Sequence, residues 1–414
     1  MKRTLVISNA CFSSSISNGR TLEGLFAKAD KDKLAQFFVY GKPNSDICNN
    51  YYQVKDADAL RSLYSAKESG KIIKDKTDGG ENVGNTVAVG NKKMPIKVLI
   101  REIVWLLGRW KNKNLYKWID DFKPEMICLF VANNTFLNRL AIKVSKKYNI
   151  PIIIYSTEAY YFMDFNYLTN KPSIVYCLYY KWLRSSYKKL SKYVSCGFFN
   201  STLLKDSYAK EFQFPCYCIM NSSKINYLGN YRVDSERAVR VSYLGNLGIN
   251  RHKALIQLAT ELQKINTEYR LDVYGTAPSE EVEQELRECE AIRFHGFVSY
   301  DEVISIIHES TLLTHVEWND DILTRDLKYA FSTKIADSVC SGTPFLVYAS
   351  EELAESVFLK ENNCAFLAYN KTMLKDVLKQ ALYNEDMRKT VVENAKIVRE
   401  KYFLGDDTFI QKFM

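Results

Sequence analysis

Short apolar runs alternate with amphipathic stretches along almost the whole chain. Leu5-Val6-Ile7 reads as a buried strand, and a serine-rich loop from Ser13 to Arg20 leads to a helix that Thr21 caps and that continues through Leu25 and Phe26. Leu34 to Tyr40 is the next strand. From Met126 the rhythm is regular: strand Met126–Val131, helix Phe136–Tyr148, strand Pro151–Tyr155, strand Tyr193–Gly197, helix Ser201–Lys210. After Tyr217–Met220 the periodicity vanishes over 221–236, which predicts a linker. The same grammar then restarts with strand Val239–Leu244 and helix Ala254–Ile265. Strand Leu271–Gly275, an acidic helix Glu280–Glu290, strand Ile292–Val298 and a Ser299-capped helix follow. Next come strand Thr311–Glu317, a polar loop Trp318–Lys328, and a helix that Ser332 or Thr333 starts and that Gly342 and Pro344 stop. Strand Phe345–Tyr348 and a final helix Met387–Lys401 complete the pattern. Strands alternating with helices predict α/β architecture with parallel sheets.

At 414 residues the chain exceeds what one core usually supports. The linker divides it into residues 1–225 and 237–395, with 396–414 expected to pack back on the first domain. Residues 66–93, rich in Lys, Gly, Asp and Asn, read as a mobile insertion. No apolar run approaches the roughly 20 residues of a membrane span, and the run after Lys2-Arg3 is too short for a signal peptide. Ten irregularly spaced cysteines without a metal-type cluster suit reduced thiols and a cytoplasmic setting.

Charge changes the picture, because the net +9 hides an asymmetry. Residues 1–232 carry 36 Lys and Arg against 18 Asp and Glu, whereas 233–414 carry 21 against 30. A basic half joined to an acidic half predicts an anionic partner for the first. Residues 95–117, with Trp105 and Trp110, form a basic amphipathic segment, and 176–193 mixes lysines with tyrosines and Trp182. Both suit an anionic membrane surface, as a peripheral contact on its inner face; core packing with a solvated basic face explains the first segment as well, and the second also suits stacking on nucleic acid. No RNA-binding signature accompanies them, so nucleic acid is not expected.

Candidate chemistry gathers after strands. Gly245-Asn246-Leu247-Gly248 follows one directly, and Arg251 and Lys253 stand at the next helix start, where free amides and cations can cradle a diphosphate. Lys334 sits in the first turn of its helix, a poor place for a cation unless an anion docks there. Arg251 and Lys334 thus share a potential ligand, and Asp337, one turn on, is placed to accept from sugar or ribose hydroxyls. Glu158 and Asp164, on the loop after Tyr155, are candidates for acid/base work. Gly19 and Arg20 lie at the corresponding edge of the first strand.

These residues carry a resemblance. Gly245-Asn246-Leu247-Gly248 with Arg251, Tyr274-Gly275, Phe294 to Val298, and Phe331-Ser332-Thr333-Lys334-Ile335-Ala336-Asp337 with Gly342-Thr343-Pro344 resemble the donor half of GT-B glycosyltransferases. The bacterial family-4-like enzymes that build capsule and O-antigen polysaccharides are the most similar. The resemblance implies two Rossmann-like domains facing across a cleft, and transfer of a sugar from a nucleoside-diphosphate sugar to a glycan or lipid-linked glycan, without cofactor or metal. It implies that Arg251, Lys334 and the amides around Ser332 and Thr333 hold the pyrophosphate, and that Asp337 holds the ribose. Phe297 and Val298 would line the base pocket, and the loop from His315 to Glu317 would face the transferred sugar. The family's paired glutamates fall on Tyr329 and Asp337, so the first acid is absent; Glu317 or Asp326 is the expected substitute. The first 251 residues contain no histidine, which leaves Glu158 and Asp164 as the acids of that half. A nucleotide-sugar epimerase on the same frame and a catalytically silent scaffold are the competing readings.

Overall fold

The apolar runs become the strands of two sheets, one in each of two units that divide after Ile219. The structure is a computed structural model that describes residues 1–13, 16–65, 69–73, 95–163, 173–220, 223, 225–229, 231 and 238–403.

The first unit contains β1 (Thr4–Ile7), α1 (Ser17–Phe26), β2 (Leu34–Phe38), β3 (Tyr51–Gln53), α2 (Asp56–Arg61), β4 (Lys71–Ile73) and α3 (Pro95–Leu107). It continues with α4 (Lys113–Phe122), β5 (Met126–Phe130), α5 (Phe136–Tyr148), β6 (Ile152–Ser156), α6 (Ile174–Ser191), β7 (Val194–Phe199), α7 (Thr202–Glu211) and β8 (Cys216–Cys218). Its eight strands run β4-β3-β2-β1-β5-β6-β7-β8, and only the β3–β4 pairing is antiparallel. Parallel strands are covered on both faces, so their sequences are apolar throughout; β1, β2, β5 and β6 are wholly buried. Helix α1 starts earlier than the Thr21 cap predicts: Ile16 is its N-cap, with no side-chain bond. Of the expected insertion, 66–68 and 74–93 lie outside the described residues, while 71–73 forms the edge strand β4.

The two tryptophans of the basic segment face inward. Trp105 and Trp110 are fully buried; Trp105 stacks on Phe136 at 3.9 Å and donates to Asp56 at 2.6 Å. Trp110 donates to the Trp105 carbonyl at 2.9 Å. Their aromatic area belongs to the core, and the exposed residues of α3 are aliphatic and basic instead.

The second unit contains β9 (Val241–Leu244), α8 (Arg251–Gln263), β10 (Leu271–Tyr274), α9 (Glu280–Glu288), β11 (Ile292–Gly296), α10 (Tyr300–Glu309) and β12 (Leu312–Val316). There follow α11 (Asp321–Leu327), α12 (Thr333–Ser341), β13 (Phe345–Tyr348), α13 (Ala354–Asn362), β14 (Phe366–Ala368), α14 (Lys371–Tyr383) and α15 (Glu385–Val398). The sheet order is β11-β10-β9-β12-β13-β14 and every pairing is parallel. This is the doubly wound order in which winding reverses between β9 and β12, and ligands bind outside the carboxyl ends of strands at such a reversal. Where a polar loop is expected, 321–327 is helical, because the Asp320 side chain accepts from the amides of Ile322 and Leu323.

The described linker residues belong to this unit. Arg388, 1% exposed, donates to the carbonyls of Tyr231, Ala381 and Thr311, and Tyr227 donates to the Val392 carbonyl at 3.1 Å. Residues 399–403 also stay here, with Phe403 packed beside Phe331 and Phe358; the rest of the expected return segment, 404–414, lies outside the described residues.

Candidate functional site

The carboxyl edge of the second sheet is built from glycines first. A β-carbon on Gly275 (φ +151°) would lie 1.9 Å from the Gly245 carbonyl oxygen, so the turns after β9 and β10 touch backbone to backbone. The Gly248 amide donates to the Asn246 side chain at 2.6 Å, and Tyr243 donates to the Asn246 carbonyl at 2.7 Å. Ile249 and Asn250 then both adopt left-handed conformations (φ 60° each), which is costly for a β-branched residue and is found where surrounding structure enforces it. The turn delivers Arg251 as the first residue of α8.

Arg251 is held there by a carboxylate. Its Nε and Nη2 donate to the two oxygens of Glu317 at 3.0 and 2.5 Å. His315, on β12, lies 3.5 Å from Glu317 and 3.0 Å from Glu355 in the first turn of α13. His315, Glu317 and Glu355 are each 5% exposed or less. The four groups alternate in sign and neutralise one another, which is what allows charges to persist in a buried place. Burial drives His315 toward its neutral form, but the Glu355 charge and the bonds to Glu317 and Glu355 outweigh it and raise the imidazolium to about 9. Burial likewise opposes the charge on Glu317, and Arg251 and His315 overcome it, holding that carboxyl below its usual range. The ligand atoms of His315, Glu317 and Glu355 lie within 4.8 Å of one another, a donor set of metal-binding type. Arg251 occupies both oxygens of Glu317, however, so the arrangement as it stands is an ion-pair chain.

The structure therefore brings together Arg251, His315 and Glu317 from the sequence-derived residues. It alters the role expected of the last two: they are buried partners of Arg251 and Glu355 and not an open loop. Glu355 was missed. It lies 38 positions from Glu317, beside Glu351 and Glu352, and nothing local sets it apart.

Lys334 and Asp337 lie on α12. That helix ends immediately before β13, so its nine residues carry its start about 13 Å back toward the carboxyl edge of the sheet. Ser332 is its N-cap by position, but neither it nor Asn250 of α8 forms a side-chain cap bond, nor does Leu353 of α13. Helices α9, α10, α11, α14 and α15 all have side-chain caps. The uncapped starts keep amide hydrogens that a bound anion can use. Asp337 accepts from Ser223 at 2.5 Å, so the hydroxyl partner it has in this structure comes from the linker. Phe297 is 79% exposed just beyond β11, with Val298 half-buried beside it.

In the first unit, Glu158 follows β6 and has no side-chain partner among the described residues; burial pushes its carboxyl up to about 7. Asp164 lies outside the described residues. Gly19 is in the first turn of α1, where a β-carbon would come within 2.8 Å of the Cys11 and Ser13 carbonyl oxygens, and Arg20 is exposed.

Two Rossmann-like units in one chain, one with a wholly parallel sheet and the other parallel except at its β4 edge, constitute the GT-B fold, and solved structures share it. A glycosyltransferase from Rickettsia africae superposes with a TM-score of 0.58 at 11% identity, covering 99% of this chain and 96% of that one. WaaG, described as a glycosyltransferase involved in lipopolysaccharide biosynthesis, gives 0.56 at 11% identity, covering 99% and 98%. WaaB, a lipopolysaccharide outer core galactosyltransferase, gives 0.56 at 12% identity, covering 99% and 100%. Residues 236–398 match the sequence model of the family described as Glycosyl transferases group 1, a match confined to the second unit. No curated protein is close enough in sequence to register as a relative. The domain match and the fold together support glycosyl transfer.

Proposed function

We propose that the protein transfers a sugar from a nucleoside-diphosphate sugar, held by the second unit, to a glycan acceptor on the first. The acceptor is a lipid-linked precursor of a bacterial surface polysaccharide, such as capsule or O-antigen. What supports the donor half is Arg251 at the uncapped start of α8, directly after the glycine turn of a sheet whose winding reverses between β9 and β12, together with the equally uncapped start of α12. Arg251, Lys334 and the amides of Ser332 and Thr333 would take the diphosphate charge, as fixed cations and dipoles do for a leaving group, without a metal ion. Gly245, Asn246 and Gly248 would let the donor approach the backbone closely, Asp337 would hold the ribose, and exposed Phe297 with Val298 would stack on the base.

A thermal-shift series with UDP, GDP, CDP and their sugars tests this. One diphosphate should raise the melting temperature, since a ligand at a hundred times its Kd adds about 2.7 kcal/mol to the native state. Lys334→Ala should lose about 2 kcal/mol or more of transition-state stabilisation in transfer assays with that donor. Donor binding without hydrolysis or transfer, over a panel of acceptors, would point to a silent scaffold. Inversion at C-2 of the free nucleotide sugar would point to an epimerase.

The membrane reading rests on a different surface. On α3, Ile96, Ile100, Ile103, Leu106 and Leu107 are all more than 40% exposed; α6 packs against α3 and exposes Ile174 and Leu178. Cations adjoin this face: Lys97 and Lys181 are exposed, and Arg109, Lys111, Lys113, Lys117, Lys143 and Lys147 line a groove beside α4 and α5. Burial, with Arg139 and Lys143 nearby, lowers the Lys111 ammonium to about 8, a crowding of like charges that an anion would relieve. Aliphatic side chains flanked by lysines suit the inner face of an anionic bilayer. Among the described residues no helix is long and apolar enough to cross one. Flotation should show binding to anionic vesicles that weakens in high salt and is lost in Ile100→Glu/Leu107→Glu. Equal binding to zwitterionic vesicles would remove the electrostatic half of the reading.

A further inference from the structure

We propose that Glu355 is a positioning residue for the donor site, acting through His315 and Glu317 to hold the Arg251 guanidinium ready for the donor diphosphate. The inference rests on the transferase reading above and adds a residue that reading does not use.

The geometry is a relay across three elements. Glu355 comes from α13, His315 from β12, Glu317 from the residue after it, and Arg251 from the start of α8. Glu355 and Arg251 thus stand at opposite ends of a chain whose links are 3.0, 3.5 and 2.5 Å. A guanidinium has five N–H donors in a rigid plane. Glu317 engages the Nε side of the group in two-point fashion, while Nη1 has no hydrogen bond among the described residues and the side chain keeps 14% exposure. One edge is therefore clamped and the other remains for an incoming oxyanion.

Glu317 alone would also cancel the charge that the diphosphate needs. His315 prevents this, because an imidazolium beside Glu317 shares that carboxylate with Arg251. Glu355, at 3.0 Å, is the strongest support for the charge on His315 in so dry a place, with Glu317 at 3.5 Å adding to it. Removal of the Glu355 charge leaves Glu317 to Arg251 alone, and the cation facing the donor is weakened without being touched. Hydrogen-bond partners behind metal ligands typically carry about tenfold or more in affinity, and the same scale is expected for a partner behind a phosphate-binding arginine.

The experiment uses the whole protein and whichever of UDP, GDP or CDP it binds. Calorimetry should give Glu355→Gln a Kd for that diphosphate about tenfold weaker, with NMR titration of the bare nucleoside unchanged, since Arg251 meets phosphate and not base. His315→Gln should show the same loss, and the double variant no more than either alone, the signature of residues acting in series. Glu355→Asp, which keeps the charge but shortens the reach, should recover part of the affinity, and it carries the test if Glu355→Gln fails to fold. Equal weakening for nucleoside and diphosphate would make Glu355 a merely structural residue and overturn the proposal, as would losses that add in the double variant. Wild-type binding matched by Glu355→Gln sinks this inference alone. Failure of the wild type to bind any of the three diphosphates sinks the transferase reading with it.

Discussion

Replacing Arg251 by alanine should cost both activity and stability, and a second variant should separate them. Transfer from the preferred donor is expected to lose about 2 kcal/mol or more of transition-state stabilisation, the scale of a lost charge-stabilising donor. The second unit should also lose about 3–5 kcal/mol, because Glu317 would be left buried with one of its two cationic partners gone. Arg251→Met/Glu317→Gln removes both charges and leaves the His315–Glu355 pair neutral in sum. Its urea midpoint should return most of the way to wild type, while transfer stays low. Should turnover in Arg251→Ala equal that of wild type, the assignment of the diphosphate site is wrong. Should the double variant regain both properties, Arg251 is a structural ion-pair member only.

The second large effect is expected at Glu158. We expect Glu158→Gln to lower transfer by about 10²–10⁴-fold, the usual contribution of a positioned general base. The sign of the pH dependence follows from the carboxyl's position at about 7. Below that pH it holds its proton and cannot accept one from the acceptor hydroxyl; above it the carboxylate is free to do so. Wild-type kcat should therefore rise as pH increases through about 7, and the glutamine variant should lack that limb. Stability moves the other way: an unfolded glutamate titrates near about 4.3, so the folded protein binds the extra proton. Wild type should lose stability relative to Glu158→Gln as pH rises from that value toward 7, which melting curves at several pH values would show. A flat wild-type kcat between pH 6 and 8, or full activity in the variant, removes Glu158 from the chemistry.

Much of the frame was legible because parallel strands buried on both faces must be apolar throughout. The run Met126–Val131 and the pair Val239–Leu244 and Thr311–Glu317 announce themselves, and the structure has β5, β9 and β12 there. Short or polar elements did not stand out. β3 and β4 span three residues each, and α11 is made helical by a carboxylate cap inside an otherwise polar stretch. The placement of Trp105 was also not legible. An amphipathic basic helix looks the same in sequence whether its tryptophans face lipid or, as here, a phenylalanine on a neighbouring helix.

The candidate site divides along the same line. Sequence alone determined the glycine turn after β9, the arginine at the following helix start and the lysine in the first turn of α12, since each depends on residues a few positions apart. Only the tertiary structure could decide what Arg251 touches. Glu317 and Glu355 are 66 and 104 positions away, and they join it because the winding order sets β12 beside β9 and carries α13 back over the same edge. A buried charge must find its counter-charge in space, and spacing along a chain does not record where that partner will be.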